Sequence, residues 1–145
     1  MEDAASPSAR GENVRPLTSL PTPAIDGAMR SAISQAIVRI HAEHYGKGAT
    51  QAKTYVWDNL VVTLLGDVLT VAERTLVDVD RSDTVRELRS AFQFGLERTF
   101  RAAVEGVTGR RVHSFMSQVD PVNGLAVEVV VLEPVDEGGD GPAAA

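Results

Sequence analysis

Two short stretches, "YVWDNLVV" and "SQVDPVNGLAV", constrain the fold of this 145-residue chain more than any other feature. Each joins runs rich in β-branched and apolar residues through a few residues suited to chain reversal. Asp58-Asn59 tolerates the left-handed backbone of a tight turn, Pro121 presets a turn dihedral, and Asn123-Gly124 accepts positive φ. Connections this short join antiparallel strands only, because parallel neighbours need a crossover of a dozen residues or more.

The segments between the hairpins carry helical spacing. From Asp26, the residues Met29, Ile33, Ile37, Ile40 and His44 recur every three or four positions, with Ala32 and Ala36 beside them. This predicts a helix capped by Asp26 and stopped at Gly46. In "TVAERTLVD", Thr70 and Glu73 form the reciprocal capping pattern of a short helix. A longer helix is expected from about Asp83 to Thr108, striped by Val85, Leu88, Phe92, Leu96, Phe100, Ala103 and Val107 and ended by Gly109. The expected fold is α+β in two layers: helix–hairpin–helix–helix–hairpin, with a mainly antiparallel sheet of about four strands and helices on one face. Each half runs helix, glycine and base (Gly46-Lys47, Gly109-Arg110), strand, turn, apolar strand. An internal duplication explains this plan, and so does the general likeness of helix–hairpin segments.

Composition sets the limits of the domain. A hydrophobic share of 43% supports one core, and an aromatic share of 5% makes that core aliphatic. No cysteine is present, so disulfides, thiolate metal sites and thiol nucleophiles are excluded. Residues 1–24 and 135–145 lack apolar periodicity and read as a disordered N-terminal extension and a disordered acidic tail flanking a domain at 25–134. The tail holds −3 of the formal −6 charge, and the domain, with 12 basic and 14 acidic residues, has no basic excess for general nucleic-acid binding. No signal-peptide pattern opens the chain. Its apolar runs, broken by Thr63 and Glu128, fall short of the ~20 residues of a transmembrane segment, so a cytoplasmic location is expected.

Motifs for chemistry are sparse. "GKGATQ" resembles a phosphate cradle in composition, but it leaves a helix and enters a strand, the reverse of the order that aims helix amides at phosphate. His41 and His44 are too few for a zinc site, and His113 joins them only through an unsupported tertiary approach. Ser114 and Ser117 flank His113 without the setting of a catalytic triad. Tyr55 and Trp57 share a strand face with Lys53, either to pack or to stack a ligand ring.

The last strand alternates two sets. Leu125, Val127, Val129 and Val131 form one face, and Ala126, Glu128, Val130 and Leu132 form a half-polar other. Simple alternation places His113, Phe115 and Ser117 on one side of the preceding strand, with Val112, Ser114, Met116 and Gln118 on the other. The half-polar face carrying Val130 is expected to be the exposed one and to join two copies as a homodimer.

The stretches "ISQAIVRIHAEHYGKGATQAKTYVWDNLVVTLLGDVLTVAERTLV", "VRELRSAFQFGLERTF" and "VEGVTGRRVHSFMSQVDPVNGLAVEVVVLEP" carry "YGKG", "LTxAERTL", "VRELR" and "FMSQVDP" in order. Over about residues 28–134 the chain resembles the MpsC-like family of small bacterial proteins, described as a domain of unknown function. The resemblance implies association with a sodium-linked, membrane-potential-generating system whose larger partners are membrane proteins connected with inorganic-carbon uptake. It implies no reaction, cofactor, metal or catalytic residue.

Taken together, the expected role is that of a non-enzymatic accessory or interaction protein of a bacterial membrane ion or bicarbonate transport system. Such a protein would reach the membrane through a protein partner. The candidate surface is His113, Ser117, Gln118 and Tyr55, where polar groups beside apolar strands orient a partner. The alternative is a small-ligand-binding regulatory domain using the same mixed face.

Overall fold

The computed structural model describes residues 24–135, so the two extensions, apart from Ala24 and Val135, lie outside the described residues. Seven elements follow in order: α1 (Gly27–Tyr45), β1 (Gln51–Trp57), β2 (Leu60–Gly66), α2 (Val71–Asp78), α3 (Ser82–Thr108), β3 (Val112–Asp120) and β4 (Leu125–Leu132). The strands form one antiparallel sheet in the order β1-β2-β4-β3, so the expected α+β architecture is present. The two hairpins meet at the β2–β4 pair. A duplicated unit and a single-copy chain would both adopt this order.

Local chemistry sets the element ends. Asp26 accepts a hydrogen bond from the Met29 amide at 2.8 Å, and Gly46 closes α1 in the left-handed conformation. Thr70 and Glu73 complete their reciprocal capping box on α2. Gly109 ends α3 with φ 67°, where a Cβ would add strain. Asp58 supplies the positive φ of the first hairpin and Gly124 that of the second.

Both long helices pack on one face of the sheet. The core is aliphatic, with Ile33, Ile37, Val61, Leu65, Val104, Val130 and Leu132 around a single deeply buried phenylalanine, Phe100. Each such side chain contributes about 1.5–3 kcal/mol by leaving water.

Three expectations about facing are corrected. Along α1 the inward stripe ends on His41, which is buried against Glu128, while His44 is exposed. Along α3 the inward positions are Val85, Arg89, Leu96, Phe100 and Val104, because Arg89 turns in to an ion pair and leaves Leu88 and Phe92 at the exposed rim. In β3 a bulge between Val112 and Ser114 inserts His113, so Val112 shares the helix side with Phe115, Ser117 and Val119. One extra residue shifts the alternation that simple counting assumes.

The largest correction concerns the sheet itself. The half-polar set Ala126, Glu128, Val130 and Leu132 lies beneath the helices, with Val130 only 1% exposed. Val130 therefore cannot join two copies. The wholly apolar set of β4 faces away from both helices.

Candidate functional site: the uncovered face of the sheet

Strand register assembles the uncovered face in rows. Trp57, Leu60, Val131 and Ser114 form the first; Tyr55, Val62, Val129 and Met116 the second; Lys53, Leu64, Val127 and Gln118 the third. Directly paired residues share a face, so β2 and β4 present a continuous aliphatic centre. An aromatic edge and a polar-and-methionine edge flank it. Exposure is large for such residues: Trp57 58%, Met116 54% and Leu64 43%. At standard strand spacings the whole face, its polar members included, has a footprint of roughly 400 Å² before side-chain relief, within the range of the largest apolar patches on monomers, which are often functional. Tyr55 and Trp57 stack with ring centres 5.6 Å apart, and Lys53 Nζ lies 5.1 Å from the Tyr55 ring centre. These contacts hold the aromatic edge in place.

The covered face is apolar core interrupted by one polar row. A polar row of Thr54, Thr63, Glu128 and Ser117 crosses the whole sheet beneath the helices. The Ser34 and Thr54 hydroxyls are hydrogen-bonded at 2.7 Å, and Thr54 and Thr63 at 2.8 Å. His41 Nε2 meets Glu128 Oε1 at 2.9 Å. Glu128 Oε2, His41 Nδ1 and Ser117 Oγ are buried without a hydrogen-bond partner.

A second buried pair joins the helices. Arg89 donates from Nε and Nη2 to the two carboxylate oxygens of Glu73 at 2.6 and 2.7 Å, and from Nη2 to the Val68 carbonyl at 2.9 Å. Its guanidinium carbon lies 3.8 Å from the centre of the Tyr45 ring. Burial would raise the Glu73 pKa, but the Arg89 hydrogen bonds and the Thr70 amide outweigh it and hold the carboxyl below its usual value. Burial pushes the Tyr45 hydroxyl up to about 12.

This arrangement lacks the order of a catalytic triad. The Ser117 hydroxyl has no hydrogen bond to His41, and both His41 and Glu128 are closed to solvent. Among the described residues no three His, Cys, Asp or Glu side chains converge to hold a metal ion, and His41 and His44 diverge. The glycine-rich loop has a local role. Lys47 and Thr50 bond Asp67, which also meets Arg74, and the Lys47 hydrogen bond leads in holding the Asp67 carboxyl below its usual value.

The four candidate surface residues do not form one site. Tyr55 and Gln118 share the uncovered face but lie on its opposite edges, with β2 and β4 between them. Three strand spacings separate them by about 14 Å. Ser117 points to the helix side, and His113 stands exposed on the bulge at one end of β3. A ligand site built from Tyr55, His113 and Gln118 together is not assembled. Sequence reasoning missed Leu64, Met116 and the β4 valines as surface: alternation grouped them on one face but did not say that this face lies away from the helices.

Among the described residues no helix is long and apolar enough to cross a membrane. No curated protein and no solved structure matches the chain. The family described as "Na+-translocating membrane potential-generating system (MpsC)" matches residues 26–134, from the α1 cap to just beyond β4. The match thus spans both faces of the sheet and every element that builds them, and the chain belongs to the MpsC family.

Proposed function

We propose that this protein is a non-enzymatic accessory component of a membrane-potential-generating ion transport system and acts by binding through the uncovered face of its sheet. The observation that carries this reading is the aliphatic centre of the uncovered face, exposed Leu64 with half-buried Val62, Val127 and Val129, between an aromatic and a methionine edge. The family description supplies the association with the transport system. On this reading the protein is cytoplasmic and reaches the membrane through its partner.

The first partner is a second copy of the chain. A two-fold axis along the strands sets β1 of one copy over β3 of the other. Trp57 and Tyr55 then meet the opposing Met116, and Lys53 approaches the opposing Asp120, so the unlike edges become complementary. Pairing covers the aliphatic centre at the ~10 Å spacing of packed sheets.

Light scattering at micromolar concentration tests the reading, with a dimer expected for the wild type and a monomer for Leu64→Lys. A monomeric wild type removes the self-association. Capture of a transport-system membrane protein by wild type, and its loss with Leu64→Lys, is the expected result for the accessory role. Equal capture by both removes this face from that role.

A further inference from the structure

A second exposed feature lies on the helix side of the fold, on the flank of α3 turned away from α1. Phe92 leans towards α1, its ring centre 5.1 Å from that of Tyr45. Phe94 takes the other side of the helix, where it lines a shallow pocket with Phe115 of β3, and it is 87% exposed. One exposed aromatic would mean little by itself. The residues around it supply a pattern.

Glu87, Ala91, Phe94 and Arg98 are all exposed and follow one another at spacings of four, three and four residues, so they form one stripe along α3. The stripe reads acid, small, large, base. Its charged ends stand three turns apart, about 16 Å, with the small and large residues between them. Among the described residues neither Glu87 nor Arg98 has an ion-pair partner. Turned end for end, the stripe is its own complement: base meets acid at both ends, and the large side chain meets the small one at the centre.

We propose that α3 is a second self-association surface, pairing antiparallel with α3 of another copy about a two-fold axis at the level of Phe92 and Gln93. Glu87 then faces the partner's Arg98, and Phe94 packs over the partner's Ala91, each contact occurring twice. Gly95, beside the stripe, has no Cβ to hold the helices apart and open space around it. A parallel pair would set Glu87 against Glu87 and Arg98 against Arg98, so charge fixes the direction. One helix pair buries less than a standard interface, and the contact is therefore expected to be weaker than micromolar, at roughly 100 μM. It lies away from the uncovered sheet face and stands independently of it.

Sedimentation velocity of the full chain from about 10 μM to 1 mM spans this range. The wild type is compared with Leu64→Lys, which takes the sheet face out. Leu64→Lys is expected to be monomeric at the low end and dimeric at the high end. In that background Glu87→Arg and Arg98→Glu are each expected to weaken the dimer at least about tenfold, because like charges then meet at both ends of the pair. An equimolar mixture of the two should recover it, since acid again faces base at both ends; a folding defect in either variant would give no such rescue. Phe94→Ser should weaken the dimer by a similar factor without being rescued. A Leu64→Lys chain still monomeric at the high end overturns the proposal, and association confined to the wild type belongs to the sheet face alone. Dimers indifferent to both charge reversals, or a mixture no stronger than its components, also overturn it.

Discussion

The two faces of the sheet are both apolar at their centres but differ in what covers them. The face under the helices sets one polar row, Thr54, Thr63, Glu128 and Ser117, among core residues such as Val61, Leu65, Val130 and Leu132, whereas the face without helices carries Leu60, Val62, Leu64, Val127, Val129 and Val131 at its centre. An antiparallel sheet with one wet side ordinarily points its apolar set inward. Here the inward set is apolar around one polar row and the outward centre is apolar as well, so what sets the second face apart is that no helix covers it. Part of the polar row is satisfied because α1 brings Ser34 to Thr54 and His41 to Glu128 Oε1. The uncovered face stays apolar because, on the reading proposed above, its cover is another chain.

Breaking the charged side of this comparison should have the largest effect. Arg89→Met leaves Glu73 buried between α2 and α3 without its counter-ion, at an expected cost of about 3–5 kcal/mol in urea unfolding. A cost below about 1 kcal/mol would show that the pair is not what joins the helices beneath Tyr45. Removing the Glu128 carboxylate should come next. Glu128→Ala strands His41 in the core and is expected to cost about 1–3 kcal/mol, while exchanging both residues for leucine should cost less than the single change. A double variant as unstable as the single would mean that shape at this point matters more than the hydrogen bond.

Acid should reveal the same dependence. Glu73 is held below its unfolded value, so its ionised form stabilises the fold above about pH 4.3, and that contribution is lost as pH falls through the folded pKa. Glu73→Gln should therefore have a shallower loss of stability in this acid range than the wild type. Parallel curves would exclude Glu73 as a source of the acid limb. The smallest effect belongs to the uncovered face. Leu64→Lys, measured at dilutions where any dimer is dissociated, should change unfolding free energy by no more than about 0.5 kcal/mol, since no helix packs there. A larger loss would mean that the aliphatic centre supports the folded chain itself.

Much of the fold was legible because its signals are local. Asp26, Gly46, Gly109 and the Thr70–Glu73 pair act on amides within a turn of themselves, and Asp58 and Gly124 set their own dihedrals. The candidate site was less legible. Tyr55 and Gln118 lie on the surface as expected, but Ser117 pairs with Glu128 and goes beneath the helices with it, and the bulge at His113, which no nearby glycine or proline announces, parts His113 from Ser117. Leu64 and Met116 gain their meaning only as members of rows across different strands.

The sequence by itself determined the elements, their ends and the pairing within each hairpin, because capping, turn geometry and periodicity are settled within a few residues. Only the tertiary structure decided that β2 pairs β4, that Glu128 and His41 meet across 87 positions, and that Arg89 rather than Leu88 or Phe92 turns inward. Alternation along β4 divides its residues into two faces but cannot say which one the helices cover. That choice rests on groups far apart in sequence: the hydroxyl of Ser34 and the imidazole of His41 on α1 meet the polar row, and the apolar row is left facing outward.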